Sequence, residues 1–186
     1  MTTIAYDGFD LASDSQLTSD SIKCYNSQKF YRIPSVEGKQ AGWLGIAGVV
    51  HIQQKLIDWC VRGCLDDCEL DGNSEIEAIL IYDDGSFLIL EGEGEDKVRW
   101  TGWSTPWAIG SGGKFAIGAM LAGKTAGQAV KLAATVDTYT GGPIKVQSVI
   151  KRPARKQREK QNGLQQVHQQ RSITSTDAKP GRRKFR

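Results

Sequence analysis

MTTIAYDG (residues 1–8) opens the chain with a threonine directly behind a methionine, and then alternates apolar and polar residues like a short strand. Removing Met1 leaves Thr2 with a free α-amine. A hydroxyl is a weak nucleophile unless a base lies within hydrogen-bond reach, and a terminal threonine carries one on its own backbone. That amine titrates near neutrality, at roughly 7.7–8 when unperturbed. The β-branched side chain restricts χ1 and limits the orientations of Oγ1 relative to the amine. Met-Thr beginnings also arise by chance, so the segments further along the chain decide the reading.

Those segments are LASDSQ (11–16), QKFYRI (28–33), GWLGIAG (42–48), AIGSGGKFAIGAM (108–120) and AATVDTYTGGPIKVQSV (133–149). No one of them is specific, but in this order they resemble the proteasome β subunit and the bacterial HslV peptidase, members of the N-terminal nucleophile hydrolases, over residues 2 to about 150. The resemblance implies an α+β fold of two packed antiparallel sheets between helical layers. One helical layer is trimmed, because a strand near residue 77 follows the first helix where the family has a second long helix. It further implies a threonine-type peptidase with Thr2 as nucleophile, Lys29 as the catalytic lysine and Asp14 as its acidic partner. Ser111 supports the nucleophile, Asp137 and Thr140 complete the site, and the Gly45 amide meets the oxyanion. Peptides or unfolded proteins are the substrates implied, with a homo-oligomer as the active form and an ATP-dependent unfoldase as partner. No cofactor or metal is called for.

The same residues make chemical sense together. A lysine cation near Thr2 lowers the pKa of the α-amine, since a like charge disfavours a second cation, and it favours a developing alkoxide. An aspartate beside that lysine keeps it charged and positioned. Asp137 with the hydroxyls of Ser111 and Thr140 can bond the terminal ammonium and relay its proton. A backbone N–H aimed at the oxyanion is worth roughly 2.7–4 kcal/mol. Taken singly, a lysine or aspartate on a short strand is a solvated face, and the glycines at 110, 112 and 113 are a turn into a helix.

Short strands are expected at about 3–7, 10–13, 29–33 and 42–47. Between Val49 and about Leu70 the apolar positions fit a helical stripe. Residues 77–94 hold two β-rich runs around Asp83-Asp84-Gly85, a hairpin signal. A Trp-rich connection leads to helices over 114–122 and 126–136, broken at Gly123, and then to a strand over 144–150. Strands, helix, strands, helices and strand make an α+β order.

Charge divides the chain. Residues 1–150 carry 12 Lys/Arg and 19 Asp/Glu, and residues 151–186 carry 12 and 2. The first part is of single-domain size, able to bury a full core. The second is too poor in apolar residues to sustain one and reads as a disordered basic tail, suited to weak, salt-sensitive contact with nucleic acid or another polyanion. It lacks the interleaved aromatics that stack on bases. No apolar run reaches the roughly 18 residues of a membrane span and the start is no signal peptide, so a cytoplasmic location is expected. The cysteines are then reduced thiols.

Three other features compete for a role. GAMLAGKT (118–125) satisfies the G-x-x-x-x-G-K-[ST] pattern of a phosphate-binding loop, with Lys124 on the phosphates and Thr125 on magnesium, but the run before it is a meagre strand. Cys60, Cys64 and Cys68 recur at helical spacing as a thiol stripe rather than a zinc site. Trp100, Trp103 and Trp107 either line a cleft or anchor a core. A non-catalytic scaffold of the same fold is the main alternative to the peptidase.

Overall fold

The computed structural model describes residues 2–19, 22–35, 41–63, 68, 75–92, 99–101 and 104–152, with 99–101 as backbone. All but Arg152 fall in the unit Met1–Lys151, the first of two into which the chain divides; of the expected tail, 151–186, residues 153–186 lie outside the described residues. The chain runs β1 (Thr3–Tyr6), β2 (Asp10–Ser13), β3 (Leu17–Ser19), β4 (Ile22–Cys24), β5 (Phe30–Ile33), β6 (Gly42–Gly48), α1 (Gln53–Val61), β7 (Ile76–Tyr82), β8 (Phe87–Gly92), β9 (Arg99–Thr101), β10 (Trp107–Gly110), α2 (Gly113–Leu121), α3 (Ala126–Ala133) and β11 (Lys145–Ser148).

Two antiparallel sheets result, one ordered β10-β1-β2-β11 and the other β5-β6-β7-β8-β9, with β3-β4 as a separate hairpin. Period-two alternation sorts their side chains into layers. Ile4, Tyr6 and Leu11 of the first sheet meet Ala47, Ile79, Ile81 and Ile89 of the second in the space between the sheets. The opposite face of the second sheet, with Leu44, Ile46, Leu80 and Leu90, takes Leu56 and Trp59 of α1. The opposite face of the first is almost all alanine, Ala5, Ala12 and Ala108 against Ala116, Ala126, Ala129 and Ala133, so α2 and α3 lie close upon it. The layers are therefore helix, sheet, sheet, helices. Among the described residues α1 is the only α-helix on its side, which is the trimmed layer.

Local chemistry sets the ends. Tyr82 N–H donates to Ser86 O and Gly85 N–H to Tyr82 O, closing the hairpin expected at Asp83-Asp84-Gly85, with Gly85 at φ +89°. The first helix is shorter than its apolar spacing suggests. It ends at Val61 because Gly63 turns left-handed, at φ +83°, and returns its N–H to Cys60 O. Cys60 and Cys68 are both buried, but Cys68 lies beyond the end of α1 and Cys64 lies outside the described residues, so no three-cysteine helical stripe is present there. Two strand features differ from the sequence reading. The β3-β4 hairpin lies where the sequence reading placed no strand, and Trp107–Gly110 is a strand, β10, pairing along β1, rather than part of a connection. Trp107 packs against the core between the sheets; Trp100 is described only as backbone and Trp103 not at all.

The GKT segment is helix, stop, helix. α2 runs unbroken to Leu121 and closes with Lys124 N–H on Ala119 O and Gly123 N–H on Met120 O, with Gly123 at φ +85°. Thr125 then caps α3 reciprocally with Gln128, and the Asp7 carboxylate accepts the Ala126 N–H at 3.0 Å. No strand feeds this turn, and the Gly123, Lys124 and Thr125 N–H groups that would cradle a phosphate are already donated to Met120 O, Ala119 O and the Gln128 side chain. The phosphate-loop reading fails on that geometry.

Candidate functional site

β1 lies between β10 and β2, so the first residues of the chain enter the interior of a sheet instead of fraying. Thr2 is buried, 6% exposed, and its hydroxyl makes no hydrogen bond among the described residues. Two polar clusters flank it.

The first is centred on Asp14, just after β2 and wholly buried. Its Oδ1 accepts Thr3 N–H at 2.9 Å and Lys29 Nζ at 2.8 Å; its Oδ2 accepts Gln16 N–H at 3.0 Å and Gly141 N–H at 3.1 Å. Lys29, just before β5, donates also to Gln16 O at 2.7 Å and is 2% exposed. Burial pushes the Lys29 pKa below its ordinary 10.5, against the pull of the Asp14 hydrogen bond and charge, and the nearby Lys145 cation pushes it further down. Lys145, on β11 opposite Ser13, donates to Ser27 O at 3.1 Å.

The second cluster joins the turn after β10 to the segment after α3. Asp137 Oδ2 accepts Ser111 Oγ at 2.7 Å and Thr140 Oγ1 at 2.5 Å, and Oδ1 accepts Tyr139 N–H at 3.3 Å. Burial opposes charge on Asp137, and hydrogen bonds from Thr140, Ser111 and the Tyr139 N–H outweigh it, holding the carboxyl below the usual range. Ser111 Oγ also reaches Thr2 O at 3.5 Å, and Thr140 Oγ1 shares a 2.5 Å bond with Thr3 Oγ1. The glycines of GSGG make this approach possible. A Cβ on Gly110, at φ +85°, would run into Thr2 O, and one on Gly112 into Thr3 Oγ1. They are glycines because the β1 backbone and the Thr3 hydroxyl occupy the space.

Thr2, Asp14, Lys29, Ser111, Asp137 and Thr140 thus converge on the start of β1. Gly45 does not. A Cβ there would press on Ile4 and Ile79 at 3.0 Å, so Gly45 is a close-packing point between the sheets. Its N–H is also directed elsewhere. Asp83 N–H donates to Ala41 O and Ile46 N–H to Lys29 O, so alternation turns odd-numbered residues of β6 toward β7 and even-numbered ones toward β5. Gly45, paired with Ile79, faces β7 inside the ladder. Gly48 faces the β5 side at a level before β5 begins, where the opposite residue, Ser27, gives its own N–H to Ser15 O. Gly48 is exposed at φ +130°, where a Cβ would strike Glu75 O. The sequence reading missed Gly48 and the Gln16 and Gly141 amide contacts; only the Gly-Gly following Thr140 hinted at the last.

Solved structures with this arrangement of sheets and helices were found. Thiobacillus denitrificans BPH matches with a TM-score of 0.59 at 18% identity over 82% of this chain and 98% of that one, and its complex with epoxomicin with 0.58 over 82% and 99%. Anbu, described as an ancestral β-subunit, from Yersinia bercovieri matches with 0.53 at 12% identity over 98% and 99%. The fold is that of the N-terminal nucleophile hydrolases. The expected likeness to the proteasome β subunit and HslV is corrected accordingly: these neighbours are BPH and Anbu, proteasome-like proteins, rather than HslV. No family model and no curated protein matches the sequence. Among the described residues no group of His, Cys, Asp and Glu is disposed to hold a metal ion, and no helix is long and apolar enough to cross a membrane.

Proposed function

We propose that this protein is a threonine-type peptidase that uses Thr2, once residue 1 is removed, as nucleophile and the Thr2 α-amine as base. The observation that carries the reading is the convergence of the buried Lys29–Asp14 pair and the Ser111–Asp137–Thr140 cluster on a threonine whose hydroxyl is uncommitted. The epoxomicin bound to Thiobacillus denitrificans BPH supports it, as a ligand of a protein with this fold.

In this reading the amine takes the proton from Thr2 Oγ1 as the oxygen attacks a peptide carbonyl. The Lys29 cation holds the amine pKa down and favours the forming alkoxide. The tetrahedral oxyanion meets the Gly48 N–H rather than that of Gly45. The amine then passes its proton to the leaving nitrogen, giving an ester on Thr2, and water activated by the same amine releases the acid. Ser111, Asp137 and Thr140 hold the ammonium between these transfers. A homo-oligomer as the working form is supported by the helical assembly of Anbu from Pseudomonas aeruginosa, which matches with a TM-score of 0.50 at 11% identity over 97% of this chain and 99% of that one. An ATP-dependent unfoldase partner and polyanion contact through the basic residues after 150 belong to the same proposal.

The test joins intact mass with two variants. Wild-type protein should lack residue 1, hydrolyse a fluorogenic peptide and gain the mass of one epoxomicin. Thr2→Ala should lose both activities while staying folded, and Thr2→Ser should keep part of the hydrolysis. A retained residue 1 with no hydrolysis would favour the non-catalytic scaffold. Hydrolysis unchanged in Thr2→Ala would remove Thr2 from the mechanism.

A further inference from the structure

The N–H of Gly110 is taken by a side chain from the other sheet. Glu77 Oε2 accepts it at 2.5 Å, a charge-assisted bond to the residue just before Ser111. Glu77 lies on β7 directly opposite Ala47, one position from the Gly48–Ile76 pair, and on the β7 face that also carries Ile79 and Ile81 toward the first sheet. Its side chain is exposed, so at this end of the sandwich the carboxylate spans from the second sheet to the turn of the first at the solvent boundary. On its other side Glu77 stands directly opposite Glu91 of β8, also exposed. Like charges placed this way destabilise a sheet, so pairing within β7–β8 does not account for a carboxylate at 77.

We propose, resting on the peptidase reading above, that Glu77 is a positioning residue that fixes the Gly110–Gly113 turn, and with it Ser111, against the end of β6 that carries Gly48. The turn has little freedom of its own. Gly110 abuts Thr2 O, and Ser111 Oγ is shared between Asp137 and Thr2 O. The Glu77 bond supplies the remaining constraint, the one that registers the nucleophile's sheet to the sheet bearing the oxyanion donor. Glu77 touches no reacting atom, so its loss should lower turnover more than substrate affinity.

Full-length Glu77→Ala and Glu77→Gln should be compared with wild type for kcat and KM on a fluorogenic peptide, for the pH profile of kcat/KM, for hydrogen exchange at the Gly110 amide, and for thermal unfolding. A displacement of the turn should reduce kcat about ten- to a hundred-fold in Glu77→Ala with KM within about two-fold. Glu77→Gln, which keeps an acceptor oxygen without the charge, should recover most of kcat, leave the pH profile in place and retain the Gly110 protection that Glu77→Ala loses. Wild-type kcat and Gly110 protection in folded Glu77→Ala would overturn the proposal. So would a Gln variant as impaired as Ala, or an effect confined to KM. If wild type itself neither hydrolyses peptide nor gains epoxomicin, the peptidase reading fails alone, and exchange at Gly110 in the two variants still decides whether Glu77 holds the turn.

Discussion

Removing either partner of the buried Lys29–Asp14 pair should destabilise the protein, and the two removals should differ in a direction set by the hydrogen bonds. Lys29→Met leaves Asp14 with three backbone donors, Thr3, Gln16 and Gly141 N–H, so the carboxylate stays well solvated by the chain. Breaking a buried pair costs about 3–5 kcal/mol, and with those amides in place this variant belongs near the lower bound. Asp14→Ala instead orphans three amides, at about 1–3 kcal/mol each, and strands an ammonium whose other described bond is to Gln16 O. Its cost should exceed about 5 kcal/mol, comparable with the whole stability of a marginal domain. The pH dependence separates the two further. Burial puts the folded Lys29 pKa below the unfolded value, so between the two the unfolded chain binds more protons, and the lysine's share of stability grows as pH rises through that window. Without Asp14 the folded pKa drops again and the window widens downward, so the Asp14→Ala deficit should shrink as pH rises, while Lys29→Met lacks any lysine-dependent slope. Urea unfolding of both variants at several alkaline pH values, with m-values held equal, reads this directly. A Lys29→Met deficit as large as that of Asp14→Ala, or parallel pH curves for the two, would refute the account of Asp14 as the hub.

Gly112→Ala, whose Cβ meets Thr3 Oγ1, should cost about 1–3 kcal/mol by overpacking, and Gly110→Ala, whose Cβ meets Thr2 O and whose backbone is also left-handed, should cost more; both should impair hydrolysis. Gly123→Ala, where a Cβ meets open space, should cost only the left-handed backbone, about 1–2 kcal/mol, and leave hydrolysis untouched; thermal melts and kinetics check both. Asp137, with its pKa lowered from 3.8, contributes stability that is complete above 3.8 and is lost as pH falls through the lower folded value, so acid titration of Asp137→Asn should show a flatter profile than wild type. Deleting 153–186 should leave the melt of the remaining chain unchanged and abolish salt-sensitive binding to a polyanion such as heparin, measured by titration at two ionic strengths.

The parts of the site legible in the sequence are those carried by residue type and order. Asp14, Lys29, Ser111, Asp137 and Thr140 stand in four separate segments, and the resemblance of those segments, taken in order, to the proteasome β subunit and HslV is what implies that they belong together. What the sequence did not disclose depends on pairing. Gly45 and Gly48 lie three positions apart in one glycine-rich strand, and only the register of β6 against β5 and β7 shows that one N–H is inside a ladder and the other past its end. The strand β10 is four residues long, between Pro106 and a GSGG turn, and its periodicity is too brief to read; it exists because β1 offers it an edge. The first helix was overextended because Cys64, Leu65 and Cys68 continue an apolar spacing past Gly63, whose left-handed conformation ends the helix regardless.

Stability alone is a poor explanation for the start of β1. A buried ion pair is replaceable in principle by apolar side chains at little cost, and Lys29 and Asp14 are both almost wholly buried. The Ser111–Asp137–Thr140 cluster likewise places a carboxylate at the end of a hydroxyl relay where a plain turn would join α3 to β11. The two clusters grip one peptide unit, Asp14 at the Thr3 N–H and Ser111 at the Thr2 carbonyl, so the backbone there is held from two directions. The Thr2 hydroxyl is left out of this bonding. Immobilising a backbone while leaving its hydroxyl free, with a buried cation nearby, serves a nucleophile better than it serves a scaffold, because orientation is gained without the nucleophile's lone pairs being consumed.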